Sequence, residues 1–416
     1  MRYRQHPIPL QAFGTTALRL AERLPQKAFL INLCQDRCFF TLGLIAAAWR
    51  RQTVLLPPAQ SPALLEDLQR QFSDNFILTD DWIRKKTASA GCGATGRENL
   101  SGQEILRSLQ LLAFTSGSTG KPQAWPRNGK MLQCCAKRAL LALDLHRQRH
   151  AMIATTPPQH MYGLETSVIW PLCSRLVLTN QRPFYPEDIR RAIAQSRRSV
   201  VLVSTPLHLK ACLDSPGAWH NIAAILSSTA PLDPEIASEL ERATGAPVVE
   251  LYGSTETLSF AWRRPTQDPH WHTYAGVKLS CRDDLTVLTA PWLAEPVELP
   301  DLFLPIDERR FQSLGRQSDL IKIAGKRQSL TELNRLLLSI DGVNDGCFYL
   351  TDHGRVGAVV VTQRGRGEIR QALRRHVDPV FLPRPLYFVA TIPRNETGKI
   401  VRSELNALLE TLSHRS

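Results

Sequence analysis

Between about residue 109 and residue 251 the chain alternates apolar stretches of strand length with amphipathic stretches of helical spacing. Leu109 to Phe114 is an apolar run, and Met131 to Leu145 repeats its apolar positions at helical intervals. Met152 to Thr156, Arg175 to Thr179, Val200 to Ser204, Ala223 to Leu226 and Val248 to Leu251 read as strands. Glu187 to Ser196 and Pro234 to Thr244 read as helices, the second with Gly245 placed to end it. Strand and helix in turn specify an α/β domain with mostly parallel sheets. Beyond residue 316 the rhythm changes. A strand over 319–324, a Leu-rich helix opened by the capping box Ser329-Leu330-Thr331-Glu332, and a hairpin about Asp352-His353-Gly354 fit a small α+β domain. The expected division is a large N-terminal domain over 1–316 and a small C-terminal domain over 317–416. Residues 84–103, rich in Lys, Gly, Ser and Thr, read as a surface loop.

Composition excludes several classes. With 43% hydrophobic and 21% charged residues the chain is not disordered. Its 51 Lys and Arg exceed its 38 Asp and Glu, for a net charge of +13, which favours acidic partners. No zinc finger, basic helix or aromatic–basic motif points to nucleic acid. The longest clean apolar stretch, Leu44 to Trp49, is far short of a membrane span, and Met1 to Leu10 does not read as a signal peptide. The nine cysteines are scattered, without paired metal-ligand spacing, and suit reduced thiols in a cytoplasm.

The strongest local motif is Thr115-Ser116-Gly117-Ser118-Thr119-Gly120-Lys121-Pro122, directly after an apolar strand. Two glycines let the backbone curl, hydroxyls supply donors, and Lys121 supplies charge, which together make a phosphate cradle. It is not a Walker loop, because only two residues separate Gly117 from Gly120 and Pro122 stands in the Ser/Thr position.

This loop resembles the phosphate loop of adenylate-forming enzymes: acyl- and aryl-CoA synthetases, peptide-synthetase adenylation domains and luciferases. Four further stretches follow in that family's order. They are Pro157 to Gly163, Glu250 to Glu256, Leu314 to Lys322 and Pro393 to Ile400, so the resemblance spans roughly 109–405. It implies ATP-dependent activation of a carboxylic acid to an acyl-adenylate, then transfer to a phosphopantetheine thiol of coenzyme A or an acyl carrier protein. The residues at the matching positions take these implied roles. The 115–121 loop holds the β- and γ-phosphates, Thr255 the α-phosphate, and Glu256 the magnesium ion. Tyr252, Gly253, Ser254, Thr229 and Ala230 surround adenine. Asp301 grips the ribose hydroxyls, fifteen residues before Arg316 at the start of the hinge. His160 lines the carboxylate pocket, and Lys399 bridges the reacting oxygens. The resemblance also makes the C-terminal domain mobile, rotating near Gln317–Ser318 to exchange Lys399 for the thiol tunnel about Gly325.

The chain departs from the family in three places. Only 114 residues precede the phosphate loop, which implies a shortened N-terminal part; the glycine- and acid-rich stretch upstream of the ribose acid is poorly matched between Asp283 and Glu298; and Leu299-Pro300 replaces the small polar pair before that acid. An amino-acid substrate would want a buried acid near His160. Glu165 alone is close in sequence, so the reading favours an aryl or fatty acid. The compact length resembles ligases that load carrier proteins, and those are acidic partners for a basic chain. A degenerate AMP-binding relative with a scaffold role is the alternative.

Overall fold

A computed structural model of the chain describes residues 8–57, 60–88, 106–115, 123–215, 217–282, 285–324, 326–351, 353–394 and 400–413. The N-terminal segment and the apolar run over 109–114 form a sheet together. β1 (Phe29–Asn32), β2 (Thr53–Leu56), β3 (Asn75–Leu78), β4 (Gln110–Thr115) and β5 (Gln123–Asn128) lie in the order β3-β1-β2-β4-β5. The first four are parallel, and β5 closes the edge antiparallel to β4.

A nine-stranded sheet follows. Its first half is the doubly wound part: β6 (Ala151–Ala154), β7 (Val177–Leu178), β8 (Val200–Ser204), β9 (Ile222–Ser227) and β10 (Val248–Ser254) are parallel to their neighbours. From β10 outward the pairing turns antiparallel through β11 (Leu258–Arg263) and β12 (Trp271–Thr273). β13 (Lys278–Arg282), β14 (Leu285–Thr289) and β15 (Val297–Leu299) form a separate antiparallel sheet. β16 (Asp301–Pro305) and β17 (Arg310–Arg316) rejoin the large sheet as a hairpin against β12. One continuous apolar core joins the first two sheets, from Leu30 and Leu44 to Trp170, Phe260 and Phe311.

The helix Arg37–Trp49 is buried nearly throughout, between the sheets. Its first residue, Arg37, is fully buried and donates to the carbonyls of Gln181 (2.8 Å), Thr156 (2.8 Å) and Ala154 (3.3 Å). A guanidinium taken out of water needs such acceptors, and it finds them at the end of β6. The first sheet is thereby fastened to the segment that carries His160.

The smaller C-terminal region has its own core of Leu333, Leu337, Phe348, Val360, Ile369 and Leu373. It contains the ribbon β18 (Leu320–Ile323) and β19 (Lys326–Ser329), then β20 (Val343–Leu350), β21 (Val356–Thr362) and β22 (Leu386–Phe388). The expected capping box at Ser329 is not made. Ser329 precedes the helix Leu330–Leu338 but its side chain caps nothing; the hydroxyl lies beside Gly315 instead. Part of the loop expected over 84–103 is the end of the helix Asp80–Ala88, whose Asp80 and Asp81 at one end and Lys85 and Lys86 at the other complement the helix dipole. Residues 89–103 of that loop lie outside the described residues. Among the described residues no helix is long and apolar enough to cross a membrane.

Candidate active site

The segment after β6 is held from both sides. Arg37 takes the Thr156 carbonyl, and Gln159 Nε2 donates to Cys34 O at 2.6 Å. Gly163 permits the tight return, since a Cβ there would collide with the Pro157 carbonyl. His160 is the N-cap residue of the turn Met161–Leu164, its carbonyl accepting from Leu164 N at 2.8 Å, and that turn passes into a π-helical turn over Glu165–Ile169. Such turns widen a helix by one residue and recur at functional sites. This one presents Glu165, which is buried and accepts from Ser259 N at 3.1 Å and Ser259 Oγ at 2.7 Å. Burial pushes the Glu165 carboxyl above its ordinary range, against the pull of the Ser259 hydrogen bonds.

The end of β10 supplies the second wall. Glu250, buried, is neutralised by Arg263 at 2.6 Å and ties Leu232 N at 2.8 Å. The β10–β11 register slips between Tyr252 and Gly253, a bulge that re-aims the chain into the turn 255–257. Gly253 is required there: a Cβ would meet Ser259 Cα at 2.6 Å and the Leu258 carbonyl closer still. Gly253→Ala is therefore expected to destabilise the protein by about 1–3 kcal/mol, through backbone that must shift. A thermal unfolding midpoint equal to that of the parent protein would show that the bulge relaxes freely.

Arg127, on β5, holds the turn from below. It is buried and donates through Nε to the Thr255 carbonyl at 3.1 Å, with a second, shorter bond from its terminal nitrogen to the same oxygen. Its position after the phosphate motif gave no signal, because its partner lies 128 residues away and is a backbone atom. Thr255 is thus fixed through its carbonyl, and Glu256 beside it makes no hydrogen bond or ion pair among the described residues.

A third wall comes from the turn after β9. Thr229 has φ of +81°, a conformation that costs a β-branched residue about 1–3 kcal/mol and that persists only where surroundings enforce it. Ser228 Oγ anchors the turn to Leu251 O at 2.8 Å. These walls line one cleft, open to solvent, whose lining includes His160, Tyr162, Glu165, Thr229, Gly253 and Thr255. Ser254 also lines it, whereas Ala230 is exposed and is not part of its lining.

Asp301, Arg316 and Tyr252 form an adjoining cluster. The β16–β17 register sets Asp301 opposite Arg316, with Arg316 Nε 3.7 Å from Asp301 Oδ1. Tyr252 Oη donates to the same oxygen at 2.9 Å. The Tyr252 ring is edge-on to Trp271, Phe303 and Phe311, so the phenol is set rigidly at the end of an aromatic cluster. The predicted residues Ser116, Gly117, Ser118, Thr119, Gly120, Lys121 and Lys399 lie outside the described residues, and of Thr115 only the backbone, at the end of β4, is described.

The sequence profile of the AMP-binding enzyme family matches residues 20–287. This chain belongs to that family. Among curated relatives, a 4-coumarate–CoA ligase of Halorhodospira halophila is 28% identical over 312 residues, covering 70% of this chain and 74% of the relative. A 3,4-dihydroxybenzoate–[aryl-carrier protein] ligase of Bacillus anthracis is 23% identical over 314 residues, covering 71% and 73%. In fold, the chain is similar to the o-succinylbenzoate CoA synthetase of Bacillus subtilis in complex with its acyl-adenylate, with TM-score 0.79 at 18% identity, over 96% of this chain and 93% of that one. The large sheet-rich N-terminal region and the smaller C-terminal domain are thus the AMP-binding architecture.

Proposed function

We propose that this AMP-binding protein is an acid–thiol ligase that activates an aryl or fatty acid and passes the acyl group to a phosphopantetheine thiol. In the first half-reaction the substrate carboxylate oxygen attacks the α-phosphorus of ATP. The bond to the bridging oxygen breaks, and pyrophosphate leaves with that electron pair. In the second, the thiol sulfur attacks the acyl carbon, AMP leaves, and the thiol proton is lost. The observation that carries this reading is the cleft itself. Three motifs far apart in sequence, about His160, Thr229 and Gly253 to Thr255, line a single space.

His160 and Tyr162 face the acid. Thr255, immobilised through Arg127, presents its hydroxyl to the α-phosphate, and the 115–121 loop takes the departing phosphates. Asp301, beside the cleft, takes the ribose hydroxyls as a hydrogen-bond acceptor, and Tyr252 keeps it oriented. Glu256 suits magnesium, because it is a carboxylate with both oxygens uncommitted among the described residues and magnesium prefers such hard ligands. A magnesium ion held there would offset the negative charge of the triphosphate. Glu256→Gln is expected to lower adenylation by roughly 100-fold and to raise the magnesium concentration needed for half-maximal rate. An unchanged magnesium titration would assign the metal to another carboxylate.

The domain division at Arg316 and the rotation of residues 317–416 belong to the same proposal, with the turn Gln317–Asp319 between β17 and β18 as the pivot. Acyl carrier protein or coenzyme A is the acceptor. The segment 317–416 carries fifteen Lys or Arg against ten Asp or Glu, and Arg370 and Arg374 are exposed one turn apart on the helix Arg366–Arg374. That face suits an acidic carrier. Pyrophosphate release measured over aromatic, short-chain and long-chain acids, with coenzyme A and with carrier protein, tests the reading. A protein that binds ATP and releases pyrophosphate with no carboxylic acid overturns it.

A further inference from the structure

We infer that Glu165 is the specificity-determining residue of the acid pocket, selecting a small aromatic acid that bears a hydroxyl or amine on its ring. This rests on the adenylation reading above and narrows its substrate. Glu165 lines the cleft and is buried, so its carboxylate must be satisfied by protein or by ligand. Its load is uneven. Oε2 accepts from Ser259 Oγ at 2.7 Å and from the Cys135 thiol at 3.5 Å. The Ser259 N–H is shared between the two oxygens at 3.1 Å each. Oε1 has that half-share and no other hydrogen bond among the described residues. A carboxylate offers about four lone-pair positions, so Oε1 of this cleft-lining side chain retains acceptor capacity.

A ligand donor is the group that completes it. Met161, Tyr162 and Leu251 give the surrounding wall an apolar and aromatic character, which suits a ring. Gly253, Ser254 and Thr255 line the same cleft, and the nucleotide phosphate sits against them in the proposed reaction, which leaves the acid the part beside Glu165 and this apolar wall. An alkyl chain would also leave Oε1 buried against methylenes, unpaired, and a site built around a polar partner rejects analogues that lack it.

Calorimetric titration of the full chain with non-reactive acyl-sulfamoyl-adenosines tests this without requiring turnover. The series is benzoyl, 3-hydroxybenzoyl, 4-hydroxybenzoyl, 4-aminobenzoyl, decanoyl and leucyl, with AMP alone measured alongside. The best hydroxy or amino compound is expected to bind about 10- to 100-fold tighter than the benzoyl compound. Glu165→Gln keeps the shape but turns one acceptor oxygen into a donor, and is expected to shrink that ratio to about threefold or less. The ligand series on the unmodified protein stands by itself if the variant does not fold. Equal affinity for benzoyl and its hydroxy and amino derivatives, with AMP still bound, overturns the inference and leaves the ligase reading intact; Glu165 is then a strut for Ser259. Tightest binding of the decanoyl or leucyl compound overturns it as well. Failure of AMP and of every acyl-adenylate mimic to bind overturns the ligase reading and this inference together.

Discussion

Lys399→Ala is expected to cut acyl-adenylate formation by a factor of about 100 to 1,000, while thioester formation from supplied acyl-adenylate is expected to continue near its normal rate. The first half-reaction gathers negative charge on the attacking carboxylate and on the α-phosphate oxygens. A cation aimed at both stabilises the transition state more than the separated reactants, and removing one such group typically costs two to three orders of magnitude, on the order of 3–4 kcal/mol. Arg394 and Ile400, the described residues on either side of the motif, pair as an antiparallel bridge. Arg394 is clamped to Asp345 by two hydrogen bonds, at 2.9 and 2.7 Å, with both side chains mostly out of solvent. Ile400 sits against the small cluster of Cys347, Val359, Ile392 and Leu405. The second half-reaction uses the rotated domain in the proposed cycle, with this loop withdrawn. Pyrophosphate exchange and single-turnover thioester formation, measured separately, check the split. Equal losses in both would remove Lys399 from the adenylating role.

Elements of the fold were legible where a few consecutive residues specify them. The apolar run before Thr115 is β4, and Val200–Ser204 is a strand buried at every position, as its β-branched sequence requires. Gly245 ends its helix at φ +68°, the conformation for which glycine was read. The antiparallel strands between Leu258 and Arg316 were not legible, since several are three to six residues long and have one face on the core and mixed exposure on the other. Glu165 was noticed in the sequence as the one acid near His160, but its direction is set by Ser259, ninety-four residues away. Arg37 and Arg127 were invisible for the same reason: each binds backbone carbonyls distant in sequence, and a carbonyl carries no residue signature. The capping box at Ser329 failed because the hydroxyl is placed against Gly315 by tertiary packing, which overrides a local pattern of modest energy.

Asp301→Asn is expected to raise the KM for ATP by roughly 100-fold while leaving thermal stability unchanged or higher. The proposed ribose grip needs an ionised carboxylate accepting two hydroxyl hydrogens, and charged hydrogen bonds of that kind are the stronger class. The fold itself does not favour the charge. Burial pushes the Asp301 carboxyl above the ordinary carboxylate range, and the Arg316 guanidinium and Tyr252 hydroxyl only partly pull it back. The native state therefore binds a proton more readily than the unfolded chain between the ordinary carboxylate pKa and the raised one. Stability contributed by this group falls as pH rises through that window, whereas affinity for ATP rises through it. Asparagine abolishes both slopes: its side-chain oxygen still accepts from Tyr252 Oη, and Arg316, half exposed, is released to solvent at little cost. ATP KM and the thermal midpoint, each followed from about pH 4 to pH 7, separate this account from a structural one. An Asp301→Asn protein that loses ATP affinity and stability in parallel would make the residue a strut of the β16–β17 hairpin. One that loses affinity while holding or gaining stability shows a buried charge retained for its ligand.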